Sequence, residues 1–502
     1  MPPSSSTLPP TNPYDDVPYA SYPYRQTHPA RLATIARLFS LPAPELGEMR
    51  VLEIGCAAGG NIIPIACAYP QAQFVGVDYS QVQIEDGQRL VDSLRLKNID
   101  LRHASLMEVD ESWGEFDFVL CHGVYSWVSP ELQTKILAIA AEQLTPHGIA
   151  YVSYNAYPGW HMRGVVREMM RYHAMRFDNH FRRIAEARRA LDLVVKHAVG
   201  GKESAYHQLL RQEAELLAKC DDHYIFHEHL EEYCEPLYFH EFIARARAHG
   251  LDYLGEPNLG SMVPTNFGVD AHQALKSLSH DAIELEQFMD YFSNRTFRET
   301  LLHRAGRKPN FELQPSHVWP MYISGCGVVQ EPPVDFTKGV PTTFLSRNKA
   351  PVSTPLPLLK AAIVELTERW PVAMSFDELL AACCRRLDID ADDHERTLLG
   401  RAILLVLTTS DMLEASLEPS QFTIAPSDKP LASPLAREQA KSRDLVTTGR
   451  HESARLTPEE QHAIHALDGT NNAVDLAKLT KTNLETARKV IDRFARLALV
   501  LR

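Results

Sequence analysis

Apolar and polar positions along the chain fall into short strand-length runs separated by helix-length segments. Residues 49–54 form an apolar run that ends in a turn of small residues, 55–60, and an apolar-faced helix is expected over 61–69. A second run, 74–77, ends on Asp78, and Leu101 begins a third strand. Phe116–Cys121 reads as a buried fourth strand, followed by an amphipathic helix over 131–144. Thr145-Pro146-His147-Gly148 reads as the turn into a fifth strand at 149–154. This alternation predicts successive βαβ units. From Met162 to about Tyr233 the period becomes helical, most regularly over 163–176 and 185–197. A helix over 239–249 stops at Gly250 and leads into an apolar strand, 251–254, which returns to the sheet. Residues 295–304 alternate in parts and supply a seventh strand. The expected fold is α/β: a doubly wound, seven-stranded Rossmann-like domain over 12–328, with a helical insertion or regulatory region at about 162–238.

Two smaller units follow. Beyond a Pro-rich link at 329–357 come three helical segments, 358–369, 375–386 and 394–408, then short strands at 412–416 and 422–424. That order predicts a winged-helix-like α+β module over 358–425. A second link, 425–443, precedes helices at 458–467, 472–480 and 484–497 and a strand-like 499–501, a second such module over 444–502. Residues 1–11 are Pro/Ser-rich and are expected to be disordered.

The first turn carries the most chemical information. Gly55, Cys56, Ala57, Gly59 and Asn61 lie between the first strand and its helix, and small residues there let the backbone approach a ligand. Asp78, at the end of the next strand, stands where a doubly wound fold holds a ribose diol. Glu53 precedes the first glycine by two residues and would repel a pyrophosphate. A sulfonium ligand bearing an ammonium group tolerates that carboxylate. The pattern resembles the first motif of the class I S-adenosylmethionine-dependent methyltransferases, roughly E-x-G-C-x-x-G.

A narrower resemblance rests on further segments: Asn12-Pro13-Tyr14-Asp15, Tyr22-Pro23-Tyr24, His122-Gly123-Val124-Tyr125-Ser126-Trp127-Val128, Asn155-x-Tyr157-Pro158-Gly159-Trp160, His227-Glu228-x-Leu230-Glu231 and Leu467-Asp468-Gly469-Thr470. Together they are similar to a bacterial family of methyltransferases with a so-called regulatory domain, which includes the rickettsial lysine methyltransferases of outer-membrane proteins. The resemblance implies S-adenosylmethionine as cofactor, S-adenosylhomocysteine as product and, for some members, lysine as acceptor.

Methyl transfer from a sulfonium is an in-line displacement, so the protein mainly supplies alignment and a desolvated, electron-rich pocket. On that basis Glu53 and the turn from Gly55 to Gly59 hold the amino-acid portion of the cofactor. Asp78 holds the ribose, Tyr79 or Ser80 lies near the adenine, and Ser105 replaces the acid that methyltransferases often set beside the adenine amino group. His122 and Gly123 meet the donor methyl, while Tyr22 and Tyr24 close over the cofactor. The catalytic, acceptor-side candidates are Tyr125, Asn155, Tyr157, Trp160 and His161. Tyr125, Tyr157, His161 or solvent takes the proton that a lysine ammonium must lose.

The remaining composition narrows the partners. With 51 basic against 64 acidic residues the net charge is -13, which disfavours a broad nucleic-acid surface. The eight cysteines form no CxxC pair and read as reduced thiols of a cytoplasmic protein. His223 and His227 have helical i, i+4 spacing but no fixed third ligand, so no metal is expected. No long apolar run suggests a membrane span. The acceptor is a polypeptide or a small molecule, and a homodimer is compatible with the sequence. Two rival readings stay open: a small-molecule methyltransferase, and a non-catalytic, cofactor-sensing regulator that binds DNA through its winged helices.

Overall fold

The computed structural model describes residues 21–199 and 204–502. The Pro/Ser-rich start and the motif at 12–15 lie outside the described residues. A helix, α1 (Pro29–Leu38), precedes the sheet; Pro29 occupies its first turn, and His28 Nδ1 accepts from the Ala30 N–H (3.2 Å). Then come β1 (Arg50–Ile54), α2 (Ile62–Ala68), β2 (Gln73–Asp78), α3 (Gln81–Leu94), β3 (Ile99–His103) and β4 (Phe116–Cys121). They are followed by α4 (Pro130–Gln143) and β5 (Leu144–Asn155). The helical insertion is α5 (Gly159–Ala174), α6 (His180–His197), α7 (Ala205–Leu217) and α8 (Asp222–His229). The sheet resumes with α9 (Phe239–Ala248) and β6 (Leu251–Gly255), then α10 (Val269–Leu278), α11 (Ala282–Ser293) and β7 (Phe297–Arg304).

The seven strands lie in the order β3-β2-β1-β4-β5-β7-β6. Pairings from β3 to β5 are parallel, while β7 is antiparallel to both β5 and β6. Strand alternation divides the core into two faces. Val51, Phe118 and Tyr151 belong to one apolar cluster, and Leu52, Val119 and Val152 to the other. Residues 145–148, expected as a turn, lie inside β5: the register jumps from Phe116 opposite Leu144 to Phe118 opposite Ile149, so the extra residues are absorbed in a bulge.

The seventh strand carries a buried arginine. Arg298 is fully buried and donates to Glu256 (2.8 Å), Glu286 (3.0 Å) and Asp290 (2.7 and 3.0 Å), with its guanidinium 4.0 Å over the Phe239 ring. It ties β7, the strand next to the sheet edge, to α9 and α11.

The expected link at 329–357 is instead structured. Val328–Val329, Thr342–Leu345 and Pro351–Thr354 form a three-stranded antiparallel sheet. The middle module begins earlier than expected, because Tyr322–Gly325 is the central strand between Met374–Ser375 and Leu413–Ser416. Its helices are Pro357–Arg369, Phe376–Leu387 and Asp393–Thr409. Ile323, Phe376, Ile403 and Leu413 share one apolar cluster with Val51 and Phe118, and the strand Leu413–Ser416 neighbours α1, so this module joins the core on that side of the main sheet. The strand expected at 422–424 pairs elsewhere: Phe422 bridges to Leu501. The supposed second link likewise belongs to the last module, through the helix Pro434–Gln439 and the bridges Leu431–Asp468 and Ala432–Val500. That module adds the hairpin Leu445–Thr447 and Ser453–Arg455 and the helices Pro458–His465, Ala473–Leu479 and Leu484–Arg496. No helix among the described residues is long and apolar enough to cross a membrane.

Candidate active site

The parallel strands end together on one edge of the sheet, where β1 opens into the small-residue turn. Gly55 (φ +70°), Ala57 (φ 48°) and Gly59 (φ +72°) all take left-handed backbone there. Three N–H groups of the region anchor it: Gly55 and Cys56 donate to the Val77 carbonyl (2.8 and 3.1 Å), and Ala57 donates to Asp78 Oδ2 (2.8 Å). Asp78 Oδ1 accepts from the Ser80 N–H (2.9 Å), so its carboxylate is oriented at the strand end. Burial raises the Asp78 pKa above the usual carboxylate range, against the pull of these backbone donors. Ser80 caps α3 and is buried, whereas Tyr79 is 67% exposed and presents an open ring beside Asp78.

Two of the small residues have a steric reason of their own. A Cβ on Gly55 would lie 2.4 Å from Val124 Cγ2, and one on Gly60 would lie 2.4 Å from the Ser21 backbone. Gly60 N–H donates to Ser21 Oγ (2.7 Å), so the segment entering α1 crosses this turn as a strap. The strap carries the two tyrosines expected to close the site. The Tyr24 ring sits 4.0 Å from the His122 ring, and Tyr22 lies close enough to raise the Tyr24 pKa, which burial first pushes up to about 12.

Glu53 and Asn61 meet beneath the strap. Asn61 Nδ2 donates to Glu53 Oε1 (2.6 Å) and Thr27 Oγ1 (2.9 Å), while Asn61 Oδ1 accepts from the Tyr24 N–H (2.8 Å). Among the described residues, buried Glu53 Oε2 has no hydrogen-bond partner. Burial pushes the Glu53 carboxyl up to about 8, and Asp78 adds to the shift. A buried carboxylate with one oxygen unsatisfied favours a cationic donor, which the α-ammonium of S-adenosylmethionine supplies. The fit to that cofactor is therefore chemical as well as positional.

At the end of β4, His122 Nδ1 lies 2.8 Å from the Tyr151 hydroxyl, which is 3.2 Å from Glu299 Oε1. A hydroxyl facing a carboxylate donates to it, so Tyr151 accepts from His122 Nδ1–H and the lone pair rests on Nε2. Burial lowers the His122 pKa to about 4, keeping the ring neutral. Gly123 (φ +69°) donates to Ser153 Oγ (2.8 Å), and a Cβ there would meet open space. Tyr151, Ser153 and Asn155 follow the two-residue period of β5. That period was the signal that would have added Tyr151 and Ser153 to the candidates.

The acceptor-side candidates divide. Tyr125 is fully buried against Phe242 (5.3 Å) and Tyr154 (6.3 Å), a core position rather than a wall of the cleft. The short helical turn after β4 directs its ring under the sheet edge. Trp160 is also buried, edge-on to Trp127 (5.9 Å) with Arg163 stacked 5.3 Å from its ring. Asn155 is buried and held by the Ser126 hydroxyl, which accepts its N–H (2.9 Å). Tyr157 is half-buried and His161 exposed, the two rings stacked at 3.9 Å with 11° between their planes. Tyr238, missed in the sequence, joins them through a 3.0 Å contact from its hydroxyl to His161 Nε2.

Other candidates have structural roles. The Cys56 thiol packs where a Gly76 Cβ would stand, and burial raises its pKa. Ser105 caps a short turn, accepting from Met107 N–H (3.3 Å), which commits its hydroxyl locally. His227 and His229 are buried, and burial lowers the His229 pKa to about 3. Among the described residues, no group of three or more His, Cys, Asp or Glu is placed to hold a metal ion.

A seven-stranded sheet of this order, with a carboxylate-flanked turn after β1 and an acid ending β2, defines a class I S-adenosylmethionine-dependent methyltransferase. Residues 51–148 match a methyltransferase domain, residues 221–304 a predicted methyltransferase regulatory domain, and residues 428–494 a PKMT C-terminal winged helix domain. The chain is 37% identical to the uncharacterized protein RP789 of Rickettsia prowazekii over 96% of this chain and 88% of that one. It also resembles the solved structure of PKMT2 from Rickettsia typhi at 30% identity, with a TM-score of 0.86, covering 97% of this chain and 100% of that chain. PKMT2 has been solved in complex with AdoHcy as well. The chain belongs to this family of methyltransferases, with a regulatory domain and a PKMT-type winged helix. Its so-called regulatory region, 221–304, contains β6 and β7 and so completes the catalytic sheet itself.

Proposed function

We propose that this enzyme methylates a lysine side-chain amine on a polypeptide. The observation that carries the reading is the aromatic wall beyond the end of β5, in which Tyr157 and Tyr238 are half-buried and His161 is exposed at the rim. Such a wall receives a cation on a long stem: ring faces attract an ammonium, and the open rim admits the polypeptide that carries it. The likeness to PKMT2 supports a polypeptide acceptor.

S-adenosylmethionine, when bound, supplies a methyl group on a sulfonium that an amine lone pair displaces in line, leaving S-adenosylhomocysteine. The chain's own residues prepare that displacement. Glu53, Asn61 and the turn at Gly55 orient the amino-acid end, and Asp78 orients the ribose. Tyr24 and His122 exclude water from the donor side. The lysine must arrive neutral, and the contact between His161 Nε2 and the Tyr238 hydroxyl gives its proton a hydrogen-bonded route to solvent. His122, held neutral and low, is a poor base and serves as a wall.

A duplex-binding role gains little from the last helix, Leu484–Arg496. Arg493 pairs with Glu460 (2.5 Å), Lys489 with Glu485 (2.6 Å), and Arg496 donates to the Glu368 and Trp370 carbonyls. The test is transfer of radiolabel from S-adenosylmethionine into host lysate separated into macromolecular and small-molecule fractions, with Asp78→Ala as control. Label in a protein band, lost in the variant, is the expected result. Label confined to small molecules would replace this reading with a small-molecule methyltransferase.

A further inference from the structure

One turn of the last module touches the other two units through three consecutive side chains. Arg450 donates to Glu414 of the middle module (2.7 Å) and lies 4.1 Å over the Trp370 ring. Glu452 accepts from Arg347 (3.2 Å) and pairs with Arg25 of the strap (3.6 Å). Arg25 also pairs with Glu414, whose pKa is held down to about 2, largely by Arg25 and Arg450 against the cost of burial. Between these ion pairs, His451 Nε2 reaches Asn61 Oδ1 at 2.7 Å, across 390 residues of chain.

The chemistry of that contact is determined. Asn61 Nδ2 already donates to Glu53 Oε1 and Thr27 Oγ1, so the atom facing the imidazole is the amide oxygen. An oxygen there requires a proton on His451 Nε2. His451 is 5% exposed, and burial keeps its pKa well below the usual histidine range, so the ring is a neutral donor. Its backbone is left-handed (φ 58°), a conformation disfavoured for a residue with a Cβ, and the contacts of the imidazole offset that cost.

We infer that His451 is a positioning residue of the cofactor site, supplied by the C-terminal winged-helix module. By donating to Asn61 it fixes the amide that in turn donates to Glu53 and accepts from the Tyr24 N–H, so the cofactor end of the cleft is complete only with this module docked. The inference rests on the assignment of Glu53 and Asn61 to the cofactor site. Without His451 the Asn61 oxygen keeps the Tyr24 N–H but loses its second buried donor, the amide is held less firmly, and the Glu53 contact loosens. The C-terminal module thereby acts on cofactor affinity rather than on acceptor chemistry.

The experiment compares full-length wild type, His451→Ala, His451→Gly, His451→Gln and Asn61→Ala. Its readouts are S-adenosylhomocysteine affinity by calorimetry, the KM for S-adenosylmethionine, kcat, and the thermal midpoint. His451→Gly suits the left-handed backbone and separates loss of the donor from loss of the fold. Glutamine carries an amide nitrogen to about the position of Nε2. The expected result is a roughly ten-fold weaker Kd and higher KM in the Ala and Gly variants, kcat within about two-fold of wild type, and recovery in His451→Gln. Wild-type affinity in His451→Ala and His451→Gly, with Asn61→Ala weakened, would overturn the inference. So would a loss of affinity that tracks the thermal midpoint and that Gln does not restore. Wild-type affinity in Asn61→Ala would instead remove Asn61 from the cofactor site.

Discussion

The Tyr24 ring rests 4.0 Å from His122, so the strap before the first helix closes against the residue that ends β4. A part of the chain that precedes every strand of the sheet thus packs over the strand ends. Removing the ring in Tyr24→Ala opens the donor side to water. The KM for S-adenosylmethionine should rise by about five-fold, the equivalent of roughly 1 kcal/mol of aromatic contact, while Tyr24→Phe stays close to wild type. Initial-rate kinetics at saturating acceptor measure it.

Cofactor affinity should depend on pH through Glu53. Its carboxyl titrates at about 8 in the free enzyme because burial disfavours the charge. A bound ammonium favours the carboxylate, so binding below pH 8 releases a proton. Affinity for S-adenosylhomocysteine should then rise between about pH 6 and 8. Calorimetry in buffers of different ionisation enthalpy reads the released proton directly, and Glu53→Gln should abolish it along with the pH dependence.

Arg298 holds the last strand of the sheet, and its loss should be felt as instability. Arg298→Met leaves Glu256, Glu286 and Asp290 buried together with Arg295 alone to offset them, at a cost of about 3–5 kcal/mol. Burial raises the Glu286 pKa to about 7, above its unfolded value of 4.5. The folded form thus binds the extra proton between these values, and that stabilisation is lost as pH rises through about 7. The penalty of Arg298→Met should accordingly be larger at pH 8 than at pH 5, which thermal unfolding at the two pH values resolves.

On the acceptor side, Tyr157→Ala and His161→Ala should each lower kcat/KM for a polypeptide acceptor by about five-fold. Cofactor affinity should be unchanged. A matching loss of S-adenosylhomocysteine binding would move these residues to the cofactor side.

The first βαβ unit was legible because its signals are local. The apolar run before Gly55, the small turn and the acid at Asp78 lie within one stretch of chain, and strand and helix periods separate cleanly there. The seventh strand at Phe297–Arg304 was legible for the same reason. The short strands at Val328–Val329, Thr342–Leu345 and Met374–Ser375 were not, since two to four residues carry no period and pair only in tertiary context. Tyr125 looked like a cleft residue by its place after a strand, yet the turn there sends its ring into the core. His451 was illegible altogether, because nothing near it in sequence marks a contact with Asn61.

Lysine as the acceptor is the central claim, and amino-acid analysis tests it most directly. A polypeptide labelled by the enzyme with methyl-tritiated S-adenosylmethionine is hydrolysed to free amino acids, and the radioactive species are separated. The account predicts label in mono-, di- or trimethyllysine, absent with Asp78→Ala. Label in any other amino acid, or none retained by polypeptide, would contradict it.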